Sequence, residues 1–256
     1  MKIKTKIGLL ALSLFVCVKS HAQTTERIIN GITVNRAVPY MTALYLDGEF
    51  FCGGTLIRPG WVLTAAHCAE LTRNYDLSFF KVGVGGKSLS HPKARSGVES
   101  VFFDNWSGFT FKRDWALFKL KRKLKSRLYP KLATKNVVGN HRAFGWGITE
   151  LGVISSKLKE LKFPIWQQSQ CSTVLGDQFD DKTMICGAKL SSSNEVLDGG
   201  DTCNGDSGGP VTSLNRRVLY GITSWGLQCA SNVYPGVYAS VSAGRNWILE
   251  TIKNNS

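Results

Sequence analysis

The chain has 256 residues, 43% of them hydrophobic, with 26 glycines and a formal charge of +14. That is ample for a packed core, as one large all-β domain or two small barrel halves, and it excludes a chain too poor in apolar residues to fold. The strongly basic balance can attract anionic polymers or steer acidic partners.

In chain order, Lys2, Lys4 and Lys6 precede the apolar run Ile7–Val18, which is followed by Ser20-His21-Ala22, a small-x-small cleavage site. Residues 1–22 therefore read as a signal peptide, and the protein as secreted and extracellular. The apolar run is too short to cross a bilayer, and no other stretch reads as a membrane span. Cys17 leaves with the signal, so six cysteines remain: Cys52, Cys68, Cys171, Cys186, Cys203 and Cys229. An even number in an oxidising compartment implies three disulfides, with all ~15 pairings left open by spacing alone. Metal binding is the rival use, but no Cys-x-x-Cys occurs and only His67 adjoins a cysteine.

Strand-like segments recur as TALYLDG, FCGGTLI, RVLYGITSW and GVYASVS, each rich in β-branched or aromatic residues and bounded by turn formers. Between them, Lys119–Lys135 (KLKRKLKSRLYPKLATK) holds eight basic residues and no acid, either a solvated face or a polyanion site. Only the end reads as helix: in RNWILETIKNN, Ile248 and Ile252 are four apart with Trp247 beside them. The expected fold is all-β with one C-terminal α-helix. The number of elements suits two six-stranded antiparallel β-barrels, although periodicity does not fix topology. No repeat, low-complexity tract or long linker interrupts the chain.

The stretch DTCNGDSGGP, Asp201–Pro210, sets a serine among glycines with two aspartates close by. A serine hydroxyl is a poor nucleophile unless a base lies within hydrogen-bond reach and a third group orients that base. Of four histidines, His21 leaves with the signal, while His91 and His141 sit in polar, turn-like settings. His67 ends the apolar run of WVLTAAHCAE beside Cys68; alone it suits a structural role equally well. Asp114, in RDWALFKL, leads into an apolar segment, where a buried carboxylate needs a partner such as an imidazole N–H. The alternative for Asp114 is a surface acid paired with Arg113.

LTAAHC around His67, DWALFKL around Asp114 and GDSGGP around Ser207 together resemble the chymotrypsin-like (trypsin family) serine peptidases. IING from Ile28, GWG at Gly145–Gly147, SWG at Ser224–Gly226 and PGVY at Pro235–Tyr238 extend the resemblance over nearly all of residues 28–256. The order His, Asp, Ser matches this family and not the other triad folds. The resemblance implies that Ser207 is the nucleophile, His67 the base and then acid, and Asp114 the group that orients the imidazole. It implies an oxyanion hole from the backbone N–H groups of Gly205 and Ser207, and disulfides Cys52–Cys68, Cys171–Cys186 and Cys203–Cys229.

It also gives the two local aspartates separate tasks. Residues 23–27 become an activation propeptide, cut after Arg27 so that the freed ammonium of Ile28 bonds Asp206. Asn30 stands where the family usually has glycine, and Asn tolerates the left-handed conformations glycine supplies. Asp201, six residues before Ser207, would sit at the base of a pocket that takes Arg or Lys before the scissile bond, with Gly226 and Gly236 as its open walls. The backbone of Ser224, Trp225 and Gly226 would pair with the substrate as an added strand. The peptidase domain is residues 28–256.

No Asp or Glu occurs between Leu77 and Val98, so the family's carboxylate calcium loop is not expected, nor any other metal or cofactor. Asn105-Trp106-Ser107 and Asn254-Asn255-Ser256 fit the N-glycosylation pattern. The expected protein is a monomeric, secreted serine endopeptidase made as a zymogen. Its partners are Arg/Lys-containing protein or peptide substrates and protein protease inhibitors, with a polyanion at Lys119–Lys135 and no nucleic acid. The alternative is a non-catalytic or polyanion-binding homologue with a regulatory role.

Overall fold

The computed structural model describes residues 31–149, 152–191, 202, 204–227 and 233–256. The expected signal peptide and propeptide, with Arg27, Ile28, Asp201, Cys203 and Cys229, lie outside the described residues.

After a short strand β1 (Ile32–Thr33), six strands close an antiparallel barrel: β2 (Met41–Leu46), β3 (Glu49–Arg58), β4 (Trp61–Thr64), β5 (Phe80–Val84), β6 (Ala94–Phe103) and β7 (Ala116–Leu120). The ring order is β2-β3-β4-β7-β6-β5, with β5 returning to β2. Local chemistry sets its corners. Asp47 and Gly48 join β2 to β3 with φ of 51° and 89°, the paired left-handed turn that Asp-Gly favours because it matches strand twist. Pro59-Gly60 joins β3 to β4, with Gly60 at φ 82°. Leu56, Val62, Phe80, Val82, Val98 and Phe118 share the face that fills the interior.

A second set of strands follows: β8 (Lys131–Leu132), β9 (Gly139–Gly145), β10 (Lys159–Ile165), β11 (Met184–Gly187), β12 (Pro210–Ser213), β13 (Val218–Trp225) and β14 (Gly236–Ser240). Six of these close the second antiparallel ring, β9-β10-β11-β14-β13-β12, because β9 pairs with both β10 and β12. Strand β8 joins it from outside, parallel to β13. Ala143, Leu161, Phe163, Ile185, Val211 and Tyr238 pack inside. Glu160, buried on β10, is paired by Arg142 of β9 and by Arg216 of the β12–β13 turn. Burying that carboxylate would be costly without both partners.

Each barrel borrows a piece of the chain next to the other. Strand β1 precedes the first barrel yet pairs with β10 of the second, Ile32 opposite Glu160 and Thr33 opposite Lys159. Lys159 is fully buried, and its ammonium donates to Thr33 Oγ1 at 3.0 Å. In return the helix α3 (Val241–Asn254), which leaves β14, buries Val241, Ile248 and Ile252 in the same apolar cluster as the first barrel's core. A Cβ on Gly244 would stand 2.8 Å from the indole of Trp115, so this helix can lie flat on that ring only with glycine there. Ser240 caps the helix through the Ala243 N–H, and Lys253 lies in its last turn, where a cation suits the helix dipole.

The C-terminal helix and the two barrels are as the sequence leads one to expect. Two further helices are not: α1 (Ala66–Ala69), a single turn, and α2 (Gln168–Leu175). Only Cys171 and Leu175 of α2 are buried, too thin a stripe to mark a helix. Its start is fixed instead by a reciprocal capping box between Gln167 and Gln170. The disulfides Cys52–Cys68 and Cys171–Cys186 are formed, with Cα separations of 6.2 and 5.9 Å. His141 corrects a sequence expectation. It is not in a turn but on β9, buried, with Nδ1 at 2.6 Å from the Gly139 carbonyl and its ring edge-on to Tyr220.

Candidate active site

The site is built along the seam between the barrels. His67 lies on α1, immediately after β4, and Asp114 immediately before Trp115 and β7; these strands pair, with Thr64 opposite Ala116. The Asp114 carboxylate is fully buried and receives three hydrogen bonds. The His67 backbone N–H donates to Oδ1 at 2.9 Å, His67 Nδ1 to Oδ2 at 2.8 Å, and the Ser224 hydroxyl to Oδ2 at 2.5 Å. A carboxylate only accepts, so the ring proton belongs on Nδ1 and the Nε2 lone pair is left for chemistry. Three donors offset the cost of removing the carboxylate from water.

Arg113 does not pair with Asp114. Its guanidinium reaches Asp104 at 3.1 Å, and the other oxygen of Asp104 accepts from Trp115 Nε1 at 3.0 Å. Asp104 thus pins both neighbours of Asp114, and Arg113 takes a left-handed φ of 56° to let this happen. Over the other face of His67 stands Phe111, with ring centroids 5.8 Å apart. Phe111 meets Trp106 edge-on at 5.6 Å and approaches Trp225 at 6.4 Å. This wall limits water access on that side of the imidazole.

Ser224 reaches Asp114 because of a bulge. Along β13 and β14, Thr223 pairs with Tyr238 and Trp225 with Val237, so Ser224 is an extra residue without an opposite number. A bulge of this kind turns a side chain out of the regular alternation. Here it points the hydroxyl across the seam into the other barrel.

Ser207 is placed by backbone contacts. Its carbonyl accepts from the Gly53 N–H at 2.7 Å, and Gly53 follows Cys52, whose disulfide partner Cys68 follows His67. The two side chains therefore hang from adjoining anchors. Glycine permits the approach. A Cβ on Gly208, at φ +77°, would lie 2.3 Å from Thr64 Oγ1 and 2.4 Å from the Gly53 carbonyl. Gly209 N–H closes the turn on the Asp206 carbonyl at 2.9 Å. Among the described residues no hydrogen bond joins Ser207 Oγ to His67. The Nε2 atom lies 3.5 Å from Cys68 Sγ; a hydrogen bond between nucleophile and base commonly forms or tightens only when substrate binds.

Gly205 has φ +89°, and a Cβ there would meet Ile154 Cδ1 at 2.8 Å. Asp206 is fully buried and accepts from the Gly147 N–H at 2.8 Å. A Cβ on Gly145 would fall 1.9 Å from an Asp206 oxygen, and one on Gly147 2.5 Å from the same carboxyl. The glycines of GWG are thus shaped around this carboxylate. Gly226 is exposed at the end of β13, and Gly236 is buried at the start of β14.

Ligand atoms of Cys52, His67 and Cys68 lie within 4.8 Å of one another. The two sulfurs are bonded to each other and offer no thiolate, so this trio is not suited to hold a metal. No helix among the described residues is long and apolar enough to cross a membrane.

The trypsin family matches residues 28–248 of the chain. Ovochymase of Halocynthia roretzi is 31% identical over 90% of the chain, and serine protease 56 of Mus musculus is 33% identical over 90%. The chain spans only 15% and 40% of the lengths of these two relatives. Two closed six-stranded barrels, a terminal helix and a match over most of the length lead to one conclusion: the chain is a serine protease domain of the trypsin family.

Proposed function

We propose that the protein is a secreted serine endopeptidase that cleaves after Arg or Lys and is made as a zymogen. The observation that carries the catalytic part is the buried Asp114 carboxylate, joined to both the backbone and the ring of His67. In the proposed reaction, Ser207 Oγ attacks the scissile carbonyl while its proton passes to His67 Nε2. Asp114 stabilises the imidazolium that forms. The backbone N–H groups of Gly205 and Ser207 receive the oxyanion, which in this arrangement accounts for most of the charge stabilisation. The imidazolium then protonates the leaving amine, and water, deprotonated by the same ring, releases the acyl group.

Activation rests on Asp206. A fully buried carboxylate wrapped by Gly145 and Gly147 suits a cation arriving from the chain, and cleavage after Arg27 would supply the Ile28 ammonium. Asp201 would set the Arg/Lys preference, between Gly226 and Gly236. Ser224, left without a cross-strand partner, and Trp225 and Gly226 after it would offer backbone to the substrate. Residues 1–22 would be the signal peptide and 23–27 the propeptide.

The test is to express the full precursor, cleave it after Arg27 and profile it on a peptide library. Cleavage confined to bonds after Arg and Lys, abolished in Ser207→Ala and dependent on Asp201, is the expected result. An activated wild type without peptidase activity would overturn the catalytic reading. Full activity in an uncleavable Arg27→Gln precursor would overturn the zymogen reading.

A further inference from the structure

The basic run Lys119–Lys135 is divided by the fold. Its first part continues β7 of the first barrel, whereas Lys131 lies on β8, against β13 of the second barrel. The first part borders a groove of about 520 Å3 whose rim carries Arg58, Lys119, Lys121 and Lys123. Glu99 is the one acidic side chain lining it, and it is held by Lys119 at 2.9 Å.

The cations are presented by the backbone beneath them. Gly60 carries no side chain where Lys123 crosses it; a Cβ there would touch Lys123 Cγ at 3.3 Å. Gly97 lies under Lys121 in the same way, its absent Cβ 3.4 Å from Lys121 Cδ. Apolar lysine stems lie flat on bare backbone and carry their ammonium groups outward. Arg122, exposed on the same turn, is tied through its guanidinium to the Arg95 carbonyl. Asp76 also feels this cluster; it is held below its ordinary range chiefly by its hydrogen bonds with Ser78 and, to a lesser degree, by the charge of Lys121.

We infer that this groove is a docking site for a sulfated polysaccharide. A row of fixed cations along a concave track suits a flexible chain with regularly spaced anions, which gains by releasing condensed counterions. No aromatic ring is exposed in the groove, because Trp61 in its lining is buried. The groove's described lining thus lacks the base-stacking platform that single-stranded nucleic acids use. The groove also stands clear of the cleft. On β7 the groove begins at Lys119, five positions along the chain from Asp114, about 16 Å of strand. A glycan could therefore hold the protein without covering His67. Choosing a sulfated glycan rests on the secretion reading proposed above; the basic surface itself does not.

The test is binding of the full chain to immobilised heparin over a salt series, with peptide cleavage by the activated protein measured separately. The variant R58A/K121A/K123A is expected to lower the slope of log affinity against log salt by about three, one per lost cation. Its peptide cleavage and melting temperature should be unchanged. K131A/K135A, in the same run but on the other barrel, should change the slope by less than one. E99Q, which removes the groove's acid, should tighten binding several-fold, and K121R/K123R should retain it. Equal weakening by the two neutralised variants would show that net charge alone acts and overturn the proposal. So would unchanged binding in the triple variant, weaker binding in E99Q, or duplex DNA bound as tightly as heparin at the same salt. Loss of peptide cleavage in the wild type would count against the protease reading and leave the heparin result to be judged alone.

Discussion

The two barrels hold their shares of the site by different means. The first barrel supplies His67 and Asp114, held largely by side-chain contacts: a carboxylate with three donors, one of them Ser224 from the second barrel, a pinning Asp104 and a covering Phe111. The second supplies Gly205, Asp206 and Ser207 and fixes them through backbone hydrogen bonds and bare glycines. A side-chain network tolerates loss of one member at a graded cost. A glycine fit does not, since an added methyl has nowhere to go.

This contrast can be broken or sharpened by mutation. The largest effect is expected where the proposed nucleophile is removed. Ser207→Ala should reduce kcat by about six orders of magnitude, and Asp114→Asn by about four, through the wrong imidazole tautomer. Steady-state cleavage of a peptide amide with arginine before the scissile bond measures both. Next come the glycines. Gly147→Ala would force a methyl into the Asp206 carboxyl, at an expected cost of about 1–3 kcal/mol or more in stability. Activity should fall with it because Asp206 must shift; denaturant unfolding followed by an activity assay reads the pair. If Gly147→Ala costs less stability than Ser224→Ala, the contrast fails. Ser224→Ala removes one of three donors and should cost about 1–3 kcal/mol, read as roughly 10–100-fold in kcat/KM.

The smallest effect concerns pH. Burial pushes the His141 imidazole below its ordinary value of 6.5, against the opposing Gly139 carbonyl. The unfolded chain then takes up the proton more readily. This part of the stability is full above about 6.5 and falls as pH drops through the ordinary value towards the folded one. His141→Phe should therefore flatten the dependence of urea midpoints between about pH 7 and 5. An unchanged profile would remove His141 from the account.

Much of the first barrel's share was legible in the chain. TALYLDG and FCGGTLI read as strands, and the apolar segment after Asp114 signals a carboxylate that needs a partner. Ile248 and Ile252 mark the helix because their spacing matches its period. What could not be read depends on contacts between residues far apart in the chain. The Ser224 hydroxyl reaches Asp114 across 110 positions, and only a register shift between β13 and β14 turns it there. The glycines of GWG read as a motif, while their reason, the Asp206 carboxylate, lies 59 residues on from Gly147. His141 looks polar among Asn140 and Arg142, but strand alternation alone sends it inward. Phe111 and Trp106 sit in a loop whose ring contacts no periodicity encodes.

The exchange of β1 and α3 between the barrels has a mechanical consequence. A cleft formed by two lobes joined only by a tether could open and shut, and a ligand would have to halt that motion at an entropic cost. Here each lobe is laced by a piece adjoining the other. Any swivel would have to shear the Ile32–Glu160 ladder and slide Trp115 off Gly244 together. The seam behaves as a riveted joint rather than a hinge, so the adjustments that accompany binding fall to the loops around it.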